Sequence, residues 1–288
     1  MSFPDLLNLS NALAGLTAQV APRLVSIHGA DGGSLSGFVW RTGLVVTAHE
    51  ALGGEDEASV SLADGRTVLA QIAGRDPTTD VALLKLETAE FGDWPQAATP
   101  APGSLALLVG RGEHSPLAGL AAVTETGPAW RSMRGGQIDA RITLGIGLTS
   151  RSEGGAVVAP DGALIGMAVN GPRRRTLAIP ASTIARAVAT LAEKGYVPRG
   201  YLGVSLHPLG GDAGGAIVVG IEPKSPAAEG GFLIGDIITT WDDEPVHSVG
   251  DVSNRLIGSA VGAKAKLGVL RGGSRVEFDI AIGERPRA

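Results

Sequence analysis

The side chains able to do acid, base or metal chemistry are few enough to weigh one by one. There is no cysteine, which removes thiol nucleophiles, disulfides and thiolate zinc sites together. Of the five histidines, His28 ends an apolar run and His114, His207 and His247 fall in Pro/Gly-rich stretches, where ordinary surface roles account for them. His49 stands apart, because it follows directly on the apolar strand Val45-Val46-Thr47-Ala48. Asp80 opens a second apolar run, Asp80-Val81-Ala82-Leu83-Leu84, and Glu153 precedes the pair Gly154-Gly155, with Ser152 beside it. By ligand type alone, His49, Asp80 and Glu153 would suit zinc or manganese.

These residues need a scaffold, and the pattern around them is that of short strands. Leu6, Leu9, Leu13, Leu16 and Val20 recur at steps of three and four, which predicts one amphipathic helix ended by Pro22. From Leu24 onward come β-rich runs at Leu24–His28, Leu35–Trp40, Leu44–Thr47, Ala58–Leu62, Thr67–Ala73 and Val81–Leu86, with Asp64-Gly65 as a hairpin turn. Glu87 to Gly103 reads as a linker. A second set follows at Leu105–Val109, Gln137–Thr143, Ala156–Ala159, Leu164–Val169 and Arg175–Ile179, with Asp161-Gly162 as its hairpin turn. A helix after Pro180 presents Ile184, Val188 and Leu191 on one face and stops at Gly195. Pro198, Arg199 and Gly200 mark a boundary. Beyond it lies a mixed module with strands at Ala216–Ile221, Asp236–Trp241, Ala265–Leu270 and Val276–Ile282 and a helix near 249–257.

Composition narrows the function classes. The 288 residues favour two domains over one. Forty-three glycines are about twice the usual ~7%, yet 44% hydrophobic residues imply a folded, turn-rich chain. A net charge of −5 argues against nucleic acid as the main ligand. No apolar run reaches the ~18 residues of a membrane helix. The first twenty residues contain no Lys or Arg and so lack a basic n-region. The expectation is a cytoplasmic chain, or a periplasmic one if a leader has been removed.

The motifs, in their order and spacing, resemble the HtrA family. Its pieces here are Ser36-Gly37-Phe38-Val39, Thr47-Ala48-His49, the segment from Gly74-Arg75-Asp76 to Asp80-Val81-Ala82-Leu83-Leu84-Lys85, Asp161-Gly162-Ala163-Leu164-Ile165-Gly166 and Ala178-Ile179-Pro180. Arg199-Gly200-Tyr201-Leu202-Gly203-Val204, Ser225-Pro226-Ala227-Ala228 and Gly235-Asp236 complete the set. The resemblance implies a mostly β protein. After an N-terminal segment (1–22), a trypsin-like double β-barrel (23–198) is followed by a small α+β PDZ domain (199–288). It also implies His49 as general base and Asp80 as the residue that orients it. The Tyr201–Val204 loop would receive a peptide's terminal carboxylate on its backbone N–H groups. A trimer formed through the N-terminal segment is a further implication.

At the nucleophile the sequence departs from the family. Active members carry Gly-Asn-Ser-Gly-Gly-Pro, whereas this chain reads Arg151-Ser152-Glu153-Gly154-Gly155-Ala156, with Glu153 in the serine's place. A carboxylate attacks an amide poorly, and its charge sits where the oxyanion must form. Arg151 replaces a glycine whose freedom turns an N–H into the oxyanion hole. The leading expectation is therefore a pseudoprotease that binds polypeptides or protein C-termini, with a scaffolding or regulatory role and no cofactor. The rival is an endopeptidase using Ser152 with His49 and Asp80. It would require a rebuilt loop, since neighbouring side chains of an extended segment face opposite ways. The metal reading is weakened because an Asp80 behind the imidazole leaves only two converging ligands. With Asp80 on one ring nitrogen and Glu153 on the other, His49 is expected to titrate above its ordinary value.

Overall fold

The computed structural model describes residues 2–29, 33–209, 214–258 and 261–285, and it divides into two compact units, Met1–Val197 and Pro198–Ala288. The first unit opens with helix α1 (Phe3–Val20), whose capping Ser2 donates its backbone N–H (2.8 Å) and its hydroxyl (2.7 Å) to the Asp5 carboxylate. Six strands then close an antiparallel barrel in the order β1-β2-β3-β6-β5-β4: β1 (Leu24–His28), β2 (Ser34–Arg41), β3 (Leu44–Ala48), β4 (Glu57–Ser61), β5 (Thr67–Asp76) and β6 (Val81–Lys85). After an extended connection come β7 (Leu105–Arg111) and β8 (Pro116–Gly127), then a two-stranded ribbon of β9 (Trp130–Arg131) and β10 (Gln137–Ile138). With β11 (Arg141–Leu144), β12 (Ala156–Val158), β13 (Leu164–Asn170) and β14 (Thr176–Pro180), a second barrel closes in the order β11-β14-β13-β12-β7-β8. Helix α2 (Ala181–Lys194) ends the unit.

Both barrels have the closed, edge-free form that the family resemblance implied. Two details differ. The run Gln137–Thr143 is broken into β10 and β11 around Asp139, whose backbone N–H donates to Thr183 Oγ1 and whose carboxylate pairs with Arg186 at 2.7 Å. Strand β8 was absent from the expected set. It is largely exposed and rich in Ala, Gly and Thr, so it carries little of the apolar alternation that marks a strand.

The main core lies between the barrels. Phe38, Val46 and Leu83 from the first meet Leu107, Val109 and Met167 from the second, and Ile184, Val188 and Leu191 of α2 join them. Leu16 and Val20 of α1 are buried in the same cluster, so the helix belongs to this unit.

In the second unit, β15 (Gly200–Tyr201) pairs with the terminal β22 (Gly283–Glu284). A sheet runs in the order β16 (Val204–Pro208), β17 (Ala216–Ile221), β18 (Ile237–Trp241), β20 (Lys264–Arg271) and β21 (Ser274–Ala281), with short β19 (Glu244–Pro245) beside β18. Helices α3 (Pro226–Glu229) and α4 (Val249–Gly258) cover it. Asp236, 1% exposed, is held by Arg271 at 2.8 Å, which keeps its carboxyl below the usual range.

Phe38 is fully buried and meets Trp94 edge-on at 5.8 Å between ring centroids. Phe38→Ala is expected to cost about 3–5 kcal/mol, read as a lower urea midpoint. A cost under ~1 kcal/mol would contradict a single core shared by the barrels.

Candidate functional site

His49 sits just past the end of β3, where its backbone N–H donates to the Asp80 carbonyl at 3.2 Å. The bond ties the β3 exit to the turn that precedes β6. That turn is shaped by Asp76, 2% exposed, whose carboxylate accepts from the Thr78 N–H at 2.9 Å and from the hydroxyls of Thr78 and Thr79 at 2.5 Å each. The turn delivers Asp80 in a left-handed conformation, φ 61°.

Within this frame the side chains are not arranged as a His–Asp pair. Asp80 Oδ1 accepts from the Glu50 backbone N–H at 2.7 Å. His49 Nδ1 instead faces the Arg75 guanidinium at 3.5 Å, while the same guanidinium donates to the carbonyls of Gly53 (2.7 Å) and Glu55. The expected elevation of His49 is overturned. Partial burial, then the charges of Arg75 and Arg134, hold its imidazole below its ordinary value. Asp80 moves the other way: desolvation, helped by the nearby charges of Glu50 and Glu153, pushes its carboxyl up to about 7.

Glu153 does not reach between these two. Its carboxylate turns to Asn170 at the end of β13, accepting from the side-chain amide at 2.7 Å and the backbone N–H at 3.3 Å. Ser152 turns inward and is 7% exposed. Its hydroxyl donates to the Thr149 carbonyl at 3.1 Å, accepts from the Thr149 N–H at 3.0 Å and meets the Thr149 hydroxyl at 2.9 Å. The backbone N–H groups of Ser152 and Glu153 also donate to the Thr149 carbonyl, at 3.0 and 3.1 Å, forming a single 3-10 turn over Ser150–Ser152. The Ser152 hydroxyl is thus spent on the loop's own backbone. His49, Asp80 and Glu153 are engaged separately, and among the described residues no group of three or more acidic or histidine side chains is placed to hold a metal.

The loop is fixed to the first barrel through Ser36. The Ser36 N–H donates to the Glu153 carbonyl at 2.9 Å, and the Ser36 hydroxyl donates to the Arg151 carbonyl at 2.5 Å. Gly154, φ +79°, packs so closely that a Cβ there would lie 2.3 Å from the Ser36 carbonyl oxygen. An open cleft of about 670 Å³ runs past Asp80, Glu50, Arg134 and Asn170 over an apolar floor that includes Trp130 and Leu177. Sequence reasoning did not single out Arg75, Thr149 or Asn170. Arg75 was visible only as part of the segment before Asp80, and nothing in a strand arginine says which carbonyls it will reach.

In the second unit, Tyr201 lies in β15 and its hydroxyl donates to Glu222, while Leu202 is a core residue, 1% exposed. The carbonyls of Leu202 and Gly203 accept from Ala227 (2.9 Å) and Glu222 (2.8 Å) and so face the body of the unit. Gly203, φ +76°, rests on Ser225, where any Cβ would come within 2.1 Å of the Ser225 Cβ. Val204 begins β16, which among the described residues pairs with β17 alone and leaves one edge free. Helix α4 packs beside that edge, with Val249, Val252 and Leu256 in one apolar cluster with Val204 and Leu206. A free strand edge next to an apolar helix face can accept an extended peptide as an added strand.

With this geometry in place, the likeness to known proteins becomes informative. Residues 35–167 match the trypsin-like peptidase domain and residues 200–282 match the PDZ domain. A protein named as a probable periplasmic serine endoprotease, DegP-like, from Brucella suis is 30% identical over 277 residues, covering 87% of this chain and 52% of its own length. A protein of the same name from Pseudomonas fulva is 29% identical over 275 residues, covering 87% and 56%. The chain thus spans about half the length of the curated relatives it matches. Among solved structures, the HtrA-type protease AlgW with a tripeptide aligns with TM-score 0.69 and 26% identity, covering 96% of this chain and 98% of that one. A serine endoprotease from Yersinia pestis aligns with TM-score 0.75 and 23% identity, covering 95% and 98%, a likeness of fold.

The opposed shifts of Asp80 and His49 give opposed pH effects. Asp80, raised in the fold, contributes stability that is full below its unfolded value of ~3.8 and is lost as pH rises through about 7. His49, lowered in the fold, contributes stability present above ~6.5 and lost as pH falls through its folded value. Asp80→Asn is expected to stabilise the protein by about 1–3 kcal/mol at pH 8.5 and by little at pH 4. Arg75→Gln should bring the His49 NMR titration up towards its ordinary value, whereas Glu153→Gln should leave it unchanged. A large downward move of His49 in Glu153→Gln would return Glu153 to the imidazole.

Proposed function

We propose that this chain, an HtrA-family trypsin-like peptidase domain with a PDZ domain, is a pseudoprotease: a polypeptide-binding protein whose protease site no longer cleaves. The observation that carries this reading is the Thr149 carbonyl, which accepts from the Glu153 N–H, the Ser152 N–H and the Ser152 hydroxyl. In a trypsin-like site the N–H at the nucleophile position belongs to the oxyanion hole and a free hydroxyl belongs beside the histidine. Here a carboxylate occupies the nucleophile position, its N–H is turned into the loop, and the adjacent serine is bonded to Thr149. His49 Nδ1 also faces the Arg75 guanidinium where a triad would have a carboxylate. The polypeptide role rests on the open edge of β16 and on Leu202 and Gly203, whose carbonyls are bonded inward. Their N–H groups make no backbone hydrogen bond among the described residues, as a loop that receives a terminal carboxylate would require. We assign the chain to the periplasm, following the names of its relatives. The cytoplasmic expectation rested only on a missing basic stretch and finds no support in those names. Self-association through α1 is part of the same reading, since Phe3, Leu6 and Leu7 expose apolar side chains there.

Unfolded casein should not be cleaved by the protein above background. Glu153→Ser alone should stay near background, because a missing oxyanion donor typically costs ~100- to 1000-fold in rate. Glu153→Ser combined with Arg151→Gly should gain more than the single changes together. Cleavage by the parent that disappears in Ser152→Ala would overturn the pseudoprotease in favour of a Ser152 enzyme.

Peptide capture has its own test in fluorescence anisotropy on the full chain. Peptides ending in an apolar residue with a free carboxylate should bind at least ~10-fold tighter than their C-terminal amides. Equal affinities would mean that the Tyr201–Val204 loop does not read a carboxylate.

A further inference from the structure

A second cavity, of about 370 Å³, lies in the first unit and shares no lining residue with the cleft beside Asp80. Its apolar surface comes from Ala18 of α1, Ala21 and Pro22 after it, and Ala89 and Phe91, with the buried side chains of Val25, Val39 and Leu62 behind them. Into it faces Arg111, the last residue of β7. Arg111 is only 8% exposed, yet among the described residues no carboxylate lies within ion-pair distance of it. Its Nε has no acceptor, and the one hydrogen bond from its guanidinium is a long 3.3 Å contact to the Ala63 carbonyl.

An unpaired buried guanidinium costs several kcal/mol unless something compensates it. The other charges at the cavity are Asp64 and Arg66, which bond each other at 2.8 Å and cancel. One uncompensated positive charge therefore remains beside an open, mostly apolar groove. The groove has the volume of about a dozen waters and falls at the small end of the ~300–1,000 Å³ of ligand sites.

We infer that this cavity binds a small amphiphilic carboxylate, an alkyl acid of medium chain length, with its head on Arg111 and its tail along Ala21, Pro22 and Phe91. A single guanidinium left over by an Asp–Arg pair matches a monoanion better than a dianionic phosphate. The apolar walls require a tail, so charge alone would not hold the ligand.

The test is calorimetric titration of the full chain with octanoate at pH 7.5, beside acetate, octanol and octyl phosphate. One octanoate should bind, with acetate, octanol and octyl phosphate each at least ~10-fold weaker. Arg111→Gln should weaken octanoate at least ~10-fold while still unfolding cooperatively, since the Arg111 backbone N–H is held by Ser36 Oγ at 2.9 Å independently of the side chain. Ala18→Phe, at the cavity's exposed mouth, keeps the guanidinium and should also abolish binding; it decides the matter if Arg111→Gln does not fold. No octanoate binding at millimolar concentration, equal binding of octanol, tighter binding of octyl phosphate, or undiminished binding in the variants would each overturn the inference.

Discussion

One carbonyl oxygen, that of Thr149, organises the loop on which every functional statement about the first unit depends. It accepts from two consecutive backbone N–H groups and from the Ser152 hydroxyl, all between 3.0 and 3.1 Å. Three donors on one acceptor leave Ser152 no free hydroxyl and Glu153 no free N–H. The loop cannot rotate these groups outward without breaking that cluster, and Ser36 anchors it to the first barrel from the other side. Close packing adds to the constraint, since Gly154 leaves no space for even a methyl group.

Around this loop the electrostatics run opposite to those of a catalytic triad. In a triad the buried carboxylate supports a histidine that becomes positively charged. Here two arginines discourage charge on His49, and Asp80 carries its negative charge at a cost, with Glu50 and Glu153 close by. Both shifts favour the neutral forms near neutrality. Asp80 lines a wide cleft that also carries the Arg134–Glu50 ion pair at 3.2 Å.

The strands of the two barrels were readable from the sequence as short β-rich apolar runs separated by turn residues, the double barrel itself coming from the family resemblance, and Asp64-Gly65 and Asp161-Gly162 do form the turns joining β4 to β5 and β12 to β13. Strand β8 was not readable, since only Ala121 and Val123 are buried in it and its small residues leave little apolar alternation. The order of His49, Asp80 and Glu153 along the chain was legible, but their mutual geometry was not. The side chain of Glu153 chose Asn170, a partner on another strand. Arg75 reached His49 because two loop carbonyls happen to lie beside it. Both outcomes depend on tertiary distances of a few ångströms, which neither motif spacing nor charge can supply. The inward turn of Ser152 was partly foreseeable, because neighbours of an extended segment face opposite ways; the 3-10 turn that fixes it was not.

The central claim is that no nucleophilic serine is presented to His49. The most direct measurement is intact-protein mass spectrometry after exposure to a fluorophosphonate, which phosphonylates an activated serine and releases fluoride. With trypsin labelled in parallel as a positive control, the account requires the mass of this protein to stay unchanged at pH 7–8. A stoichiometric adduct mapped to Ser152 would contradict it.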